Sequence, residues 1–421
     1  MVQLPFQYRQ WAQYIALFLA SQVLGLICWS LVPMLGPILL DRAGATPAWI
    51  GIAVGTFPQG VTLILTPWIS VCSDRTRTRF GRRLPYLWFS APLMALALIV
   101  LGYGQSSILL CSGALLLFAL ASLVPSTLLY CLFPDVLPLS VMGRFMAWNG
   151  AGASLVAAGF HYWGLAWATE HLWASVWGGA GLYLLSMALL FLVREKDYVP
   201  VPLREVRRGV CRTVWEETAG YFHECFHDRL FVWLFLCLGL NQASMILRTM
   251  FSVLLATKDL EMSMGEYGRV SGVSAVLGAV AALGVGAWVD RSRPAKVYGI
   301  GSCLVSLVSL LGWFLVRTPD LYALFALLTA VAYAVQSTAY APLLMSAFPA
   351  EKYGQYSSAN STISTLMVMG GASLGGWLTT RFGFRLMFLW DSLFTALGLL
   401  ALVAYCRGKC SRDGQCAKAE E

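Results

Sequence analysis

The chain has 421 residues, of which 58% are hydrophobic and 12% charged, against roughly 25% charged in soluble domains. That excludes a water-soluble fold wrapped in a charged surface. The formal net charge of +8 does not indicate nucleic-acid binding, because the basic residues fall in alternate connections between apolar runs and form no single patch.

Twelve apolar runs are each long enough to cross about 30 Å of hydrocarbon as a helix. In chain order they cover residues 13–40, 47–72, 84–104, 108–133, 145–168 and 174–193, then 230–256, 266–289, 296–316, 320–346, 356–380 and 384–406. The first follows Arg9, Trp11 and Tyr14 without a short apolar core and small-residue cleavage site, so it is expected to stay as a membrane span. Between the second and third runs lies Ser73 to Pro85, with Arg75, Arg77, Arg79, Arg82 and Arg83 in one short loop. Five arginines cannot cross a bilayer cheaply, so this loop is expected on the cytoplasmic side. With it inside, 22 of the 29 basic residues lie on the same side. This predicts a multi-pass protein of the cell (plasma or inner) membrane with both termini cytoplasmic.

Residues 194–229 form the one long polar connection and divide the chain. The expected organisation is a six-helix half over 1–193, a central cytoplasmic loop over 194–229 with short amphipathic helices on the inner leaflet, a second six-helix half over 230–406, and a tail over 407–421. The halves repeat one another. Ser126, Thr127, Pro138, Gly143 and Asn149 recur as Ser337, Thr338, Pro349, Gly354 and Asn360 at a constant offset of 211, and Asp74-Arg75 recur as Asp290-Arg291 at 216. Shared register at equivalent points of the span pattern indicates a parallel repeat, hence an all-α membrane protein of two pseudo-symmetric halves.

Two six-span halves, a long central loop and a basic Asp-Arg loop with a later echo resemble the major facilitator superfamily. Ser73-Asp74-Arg75-Thr76-Arg77-Thr78-Arg79-Phe80-Gly81-Arg82-Arg83-Leu84-Pro85, with Pro134-Asp135-Val136-Leu137-Pro138 and Gly143-Arg144-Phe145, is similar to the branch holding the glycoside-pentoside-hexuronide cation symporters and sucrose/proton symporters. The glycine that opens the superfamily loop is Ser70 here, and Gly150-Ala151-Gly152-Ala153 lacks the proline found in span 5 of drug antiporters. The resemblance implies that Asp74, Arg75, Gly81, Arg82 and Arg83, echoed by Asp290 and Arg291, latch the two halves on the inner side; the alternative is that these charges only set topology.

A sugar needs hydrogen-bonding groups and flat aromatic surfaces, and polar groups in mid-span are costly unless used. The candidates for solute binding are Gln22, Trp29, Gln59, Ser126, Thr127, Asn241, Gln242, Arg248 and Gln336. Bonding between helices is the competing use of such amides. Arg248 is the most expensive of them, at about 2.5–3.5 kcal/mol in a helix centre on insertion scales, unless it reaches the outer surface. Proton coupling needs a titratable group within the membrane, for which Asp41, His161 and Asp391 are the candidates. His223-Glu224-Cys225-Phe226-His227 matches a zinc-protease pattern, but it sits in the polar central loop without an evident third ligand. No metal, cofactor, catalytic residue or enzyme activity is expected.

The expected function is secondary active transport of a small polar solute, a sugar or glycoside, by alternating access with a proton or sodium ion as partner, carried out by a monomer in the bilayer. The alternatives are a metabolite or drug exporter or uniporter of the same superfamily, and a receptor-like protein that binds solute without moving it. The cysteines, Cys406, Cys410 and Cys416 of the tail included, show no disulfide or metal spacing.

Overall fold

A backbone in hydrocarbon must satisfy its own hydrogen bonds, so long apolar runs become helices. In the computed structural model, which describes residues 6–76, 78, 80–195, 226, 228–348 and 353–419, the chain is nearly all helix: α1 (Phe6–Gly25), α2 (Val32–Arg42), α3 (Pro47–Ile50), α4 (Phe57–Arg75), α5 (Leu84–Gly102), α6 (Ile108–Val136), α7 (Leu139–Gly159), α8 (Leu165–Glu170), α9 (Leu172–Leu189), α10 (Arg229–Leu254), α11 (Met264–Arg291), α12 (Pro294–Leu315), α13 (Pro319–Ala347), α14 (Tyr353–Phe382) and α15 (Leu386–Ala419). Among the described residues, ten helical rods are long and apolar enough to cross a membrane. Two further rods, 139–170 and the 30-residue α14, are less apolar because glycine, serine and threonine fill much of them. The central connection expected over 194–229 lies mostly outside the described residues, as do His223, Glu224, Cys225 and His227.

Local signals set the helix ends. Pro47, Pro294 and Pro319 each open a helix, where a missing N–H costs nothing. Ser263 and Glu266 form a capping box on α11, and Asp228 accepts from the Leu230 N–H at the start of α10. Gly383, at φ +78°, turns the chain between α14 and α15 in a conformation that residues with a Cβ rarely adopt.

Prolines also shape the middle of the spans. π-helical turns at Leu26–Leu31 and Gly51–Thr56 join α1 to α2 and α3 to α4. Each ends two residues before a proline, Pro33 and Pro58. A proline ring crowds the carbonyl four residues earlier and supplies no N–H, so the preceding turn widens to bonds five residues apart, as in Val32 N–H to Ile27 O. A third π turn, Phe160–Gly164, joins α7 to α8 without a proline.

The chain forms two compact units. The first comprises Met1–Ala45 and Val61–Glu216. In it α5 packs on α6 and α9, and α1 packs on α9, α7 and α6, around Leu17, Leu24, Leu87, Leu98, Phe133 and Tyr183, all almost wholly buried. The second comprises Thr46–Gly60 and Glu217–Glu421. Here α10 packs on α15 and α14, α12 on α13 and α15, and α11 on α13. An aromatic cluster closes one end, with Phe231 and Tyr356 rings 4.5 Å apart and Phe348 against both Phe235 and Tyr356.

Lipid tails are as apolar as leucine, so close approach rather than water exclusion holds such helices together. In the second unit Gly376 lies under the Pro47 carbonyl and Gly51, while Gly371 meets Ala243. Thr56 bonds to Ser373 at 2.6 Å and to the Met369 carbonyl at 3.2 Å, and the Ala48 N–H reaches Thr380 at 3.1 Å. Gly301 of α12 is tightest against backbone. A Cβ there meets Gln336 N at 2.6 Å and Cα at 2.7 Å, whereas one at Gly284 meets nothing within 4 Å. Gly301→Ala is therefore expected to lower the thermal unfolding temperature of the detergent-purified protein. Gly284→Ala should leave it unchanged or raise it, by at most about 1 kcal/mol of helix preference.

Candidate functional site

Putting an arginine into a membrane helix is tolerable only with a partner. In the second unit Arg248 of α10 meets Asp391 of α15, with Nη2 at 2.7 Å and Nε at 3.2 Å from the same carboxylate oxygen, Oδ2. Ser309 of α12 donates to that oxygen at 2.8 Å and accepts from Arg248 Nη2 at 3.2 Å. Tyr333 of α13 donates to the other, Oδ1, at 2.6 Å. Four helices thus converge on one carboxylate. Its side chain is 0% exposed, and that of Arg248 is 17% exposed. The guanidinium also lies 5.2 Å from the Phe388 ring centroid, a favourable face for a cation.

One turn-pair away on α10 sits a neutral network. Gln336 of α13 donates to the Asn241 side-chain oxygen, Oδ1, at 2.6 Å and to Ser302 of α12 at 2.8 Å. Asn241 itself donates to the Cys237 carbonyl at 2.8 Å. Asn241 and Gln336 are both buried, and Gly301 and Gly398 make room for them. Their amides are engaged between helices. Gln242, beside them in sequence, is exposed.

In the first unit Gln22 of α1 donates to the Asn149 side chain of α7 at 2.9 Å, and Ser21 donates to the same oxygen at 2.5 Å. The amide oxygen of Gln22, Oε1, is buried without a partner. Trp29 lies in the π turn Leu26–Leu31 and is 71% exposed. Ser126 is half-buried and donates to the Ser122 carbonyl at 2.6 Å. Thr127 and Asp41 are half-buried, as is Gln59 of the second unit. His161 lies in the π turn Phe160–Gly164, its Nδ1 buried without a partner.

The basic loop makes a clasp of its own. Gly81, at φ +113°, lets the Glu195 carboxylate sit where a Cβ would be, 2.5–2.8 Å away. Glu195 accepts from the backbone N–H groups of Arg82, Arg83 and Leu84 at 2.8–2.9 Å. That satisfies the open N-terminus of α5 with a negative charge at its positive end. Arg82 pairs with Asp135 at 3.1 Å and Arg83 with its other oxygen at 2.5 Å, while Arg83 also donates to the Cys131 carbonyl. Glu195 was not legible as a partner, since it stands in a run of alternating charges beyond the sixth span. The side chains of Asp74 and Arg75 lie outside the described residues. Asp290 and Arg291 are exposed at the end of α11. Among the described residues no group of three or more His, Cys, Asp or Glu is placed to hold a metal.

Residues 234–412 match the sequence profile of the Major Facilitator Superfamily. No curated protein sequence matches the chain. Among solved structures, a variant of the nucleoside transporter NupG superposes with a TM-score of 0.74 at 13% identity, covering 94% of this chain and 99% of its own. A bacterial homolog of the human lysosomal transporter Spinster, inward-facing and unoccupied, gives 0.69 at 11% identity over 95% and 98%. A D-xylose-proton symporter gives 0.65 at 15% identity over 94% and 97%. The fold is therefore the major facilitator fold, a multi-span membrane architecture shared with transporters.

Removing one partner of a buried pair leaves the other charge stranded, at about 3–5 kcal/mol. Asp391→Ala is accordingly expected to lower the thermal unfolding temperature in detergent sharply, whereas Arg248→Met combined with Asp391→Leu should recover most of the loss. In the clasp, Gly81→Ala should destabilise the protein more than Glu195→Gln does, because it both strains φ and expels the carboxylate; the same scan measures it.

Proposed function

We propose that this chain is a secondary transporter that carries a small polar solute, of the sugar or glycoside class, across a cell membrane by alternating access, coupled to a proton through Asp391. The observation that carries this reading is the Arg248–Asp391 pair itself, a charged acid held in mid-span on four helices of a transporter fold. The oxygens of the Asp391 carboxylate accept from arginine, serine and tyrosine. When a proton neutralises it, Arg248 loses its counter-ion and must turn to water or solute. A carboxylate of this kind is the part a proton symporter requires, and one structural neighbour is a D-xylose-proton symporter.

The basic loop fits a cytoplasmic position for residues 73–85 and for both termini, with the protein acting as a monomer in the bilayer. Asp74, Arg75, Asp290 and Arg291 are then the charges that latch the inner side, with Arg82 and Arg83 held in place by Asp135 and Glu195. A second reading is uniport. The full engagement of Asp391 by Arg248, Ser309 and Tyr333 favours it, because a saturated ion pair can serve as a brace alone.

The test is uptake of labelled sugars by proteoliposomes holding the purified protein. Symport through Asp391 requires that an inward proton gradient drive accumulation above equilibrium in the wild type. Asp391→Asn should abolish that accumulation while exchange of solute across the membrane persists. Equilibration unaffected by the gradient in both proteins would establish uniport, and absence of uptake of any sugar would remove the sugar assignment.

A further inference from the structure

Where α10 begins and α15 leaves the apolar part of its length, the second unit has a groove of about 310 Å³ lined by Asp228, Arg229, Leu230, Trp233, Ala404 and Gly408. Gly408 helps to keep it open. A Cβ there would meet Leu230 Cδ1 at 2.9 Å.

One side of the groove runs into hydrocarbon. Leu393, Leu397, Leu400 and Val403 are all exposed on α15, at the three- and four-residue spacing that keeps side chains on one face. Ala404, next to Val403, brings the groove to the end of that ridge. Trp233 of α10, 45% exposed, supplies an indole, a side chain that favours the level of lipid headgroups.

The other side is positive. Arg229 is exposed on the lining. Arg407 and Lys409 stand on either side of Gly408 in sequence, so each leaves the helix about 100° from the groove-facing direction, and their long side chains can bend back over its rim. None of the three pairs with a described carboxylate. Asp228 also lines the groove, but its Oδ1 accepts from the Leu230 N–H at 3.0 Å. Three cations around one engaged acid leave an excess of positive charge. A small free anion would satisfy the cations alone, whereas the indole and the apolar ridge add contact that only a molecule with acyl chains can use.

We propose that this groove holds the phosphate of an anionic phospholipid headgroup, bound by Arg229, Arg407 and Lys409, with the acyl chains lying along Trp233 and the α15 ridge. From the proposed function this takes only the inner position of the two termini, which puts the groove at the leaflet where basic pockets between spans recruit anionic lipid. It rests on neither the solute nor the coupling ion.

The test is native mass spectrometry of the full chain, purified in detergent and titrated with palmitoyl-oleoyl phosphatidylglycerol, palmitoyl-oleoyl phosphatidylethanolamine or inorganic phosphate. Because the protein is in detergent, the result does not depend on which way the termini face. Wild type should take its first phosphatidylglycerol at least about 5-fold more tightly than phosphatidylethanolamine. Arg229→Gln combined with Arg407→Gln should remove that preference, since one basic residue near a lipid surface is worth roughly 5-fold. Ala404→Leu fills the groove with every charge kept and should weaken phosphatidylglycerol too. Arg293→Gln, which removes a cation at the start of α12, should change neither lipid. Thermal unfolding without added lipid establishes that each variant is folded. Equal affinity of wild type for the two lipids overturns the site, as does equal affinity of wild type and the double variant for phosphatidylglycerol. Displacement of phosphatidylglycerol by an equal concentration of inorganic phosphate overturns the lipid as its occupant.

Discussion

A charge in hydrocarbon needs a partner or water, and the placement of charge in this protein follows from that constraint. The spans are apolar over their length, and nearly all the basic residues stand in the connections. The exceptions are organised. Asp391 is wholly buried and receives three donors from three neighbouring helices, so the cost of desolvating it is offset by charge-assisted hydrogen bonds. The same pair ties α10, α12, α13 and α15 to one point. A bundle whose helices gain little from excluding water from one another thereby acquires a polar fixed point at its centre.

At the edge of the first unit the same chemistry serves a different end. Asp135 and Glu195 hold Arg82, Arg83 and the start of α5; Asp135 and Arg83 are buried, so each charge offsets the cost of burying the other. Gly81 is the hinge of this arrangement. Its left-handed backbone aims three N–H groups at one carboxylate, and the absence of a side chain gives that carboxylate its place. Elsewhere glycine acts differently. Gly301, Gly371 and Gly376 bring helix backbones together, and once backbones touch, short polar side chains such as Ser302 and Gln336 come within bonding distance across the contact.

Much of this was legible in the sequence because it depends on lengths and on charge. Apolar runs gave the helices to within a few residues, since a span has a minimum length and ends where polar residues begin. Arg248 stood out as an expensive mid-span residue, and Asp391 was one of three titratable candidates beside Asp41 and His161. That they are partners did not stand out, because they are separated by 143 positions and no spacing rule connects them. Ser309 and Tyr333 gave no signal, being ordinary residues of apolar helices. The π turns left a faint trace in Pro33 and Pro58, visible as helix bends but not as a change of helix type. The turn at Phe160–Gly164 left none, having no proline at all. Glu195 was hidden for a related reason, as its role depends on a loop more than a hundred residues earlier.

The internal repeat separates what the fold needs from what the task needs. Asn149 and Asn360 occupy matching positions, and each bonds within its own unit, the first to Gln22 and Ser21 and the second to Tyr340 at 3.0 Å. A feature kept in both halves serves the architecture that both halves share. The second unit also carries a buried acid, Asp391, with a costly arginine opposite and two hydroxyls aimed at it. None of the recurring pairs supplies a counterpart to it, so the ion pair stands apart from the features that the two halves share.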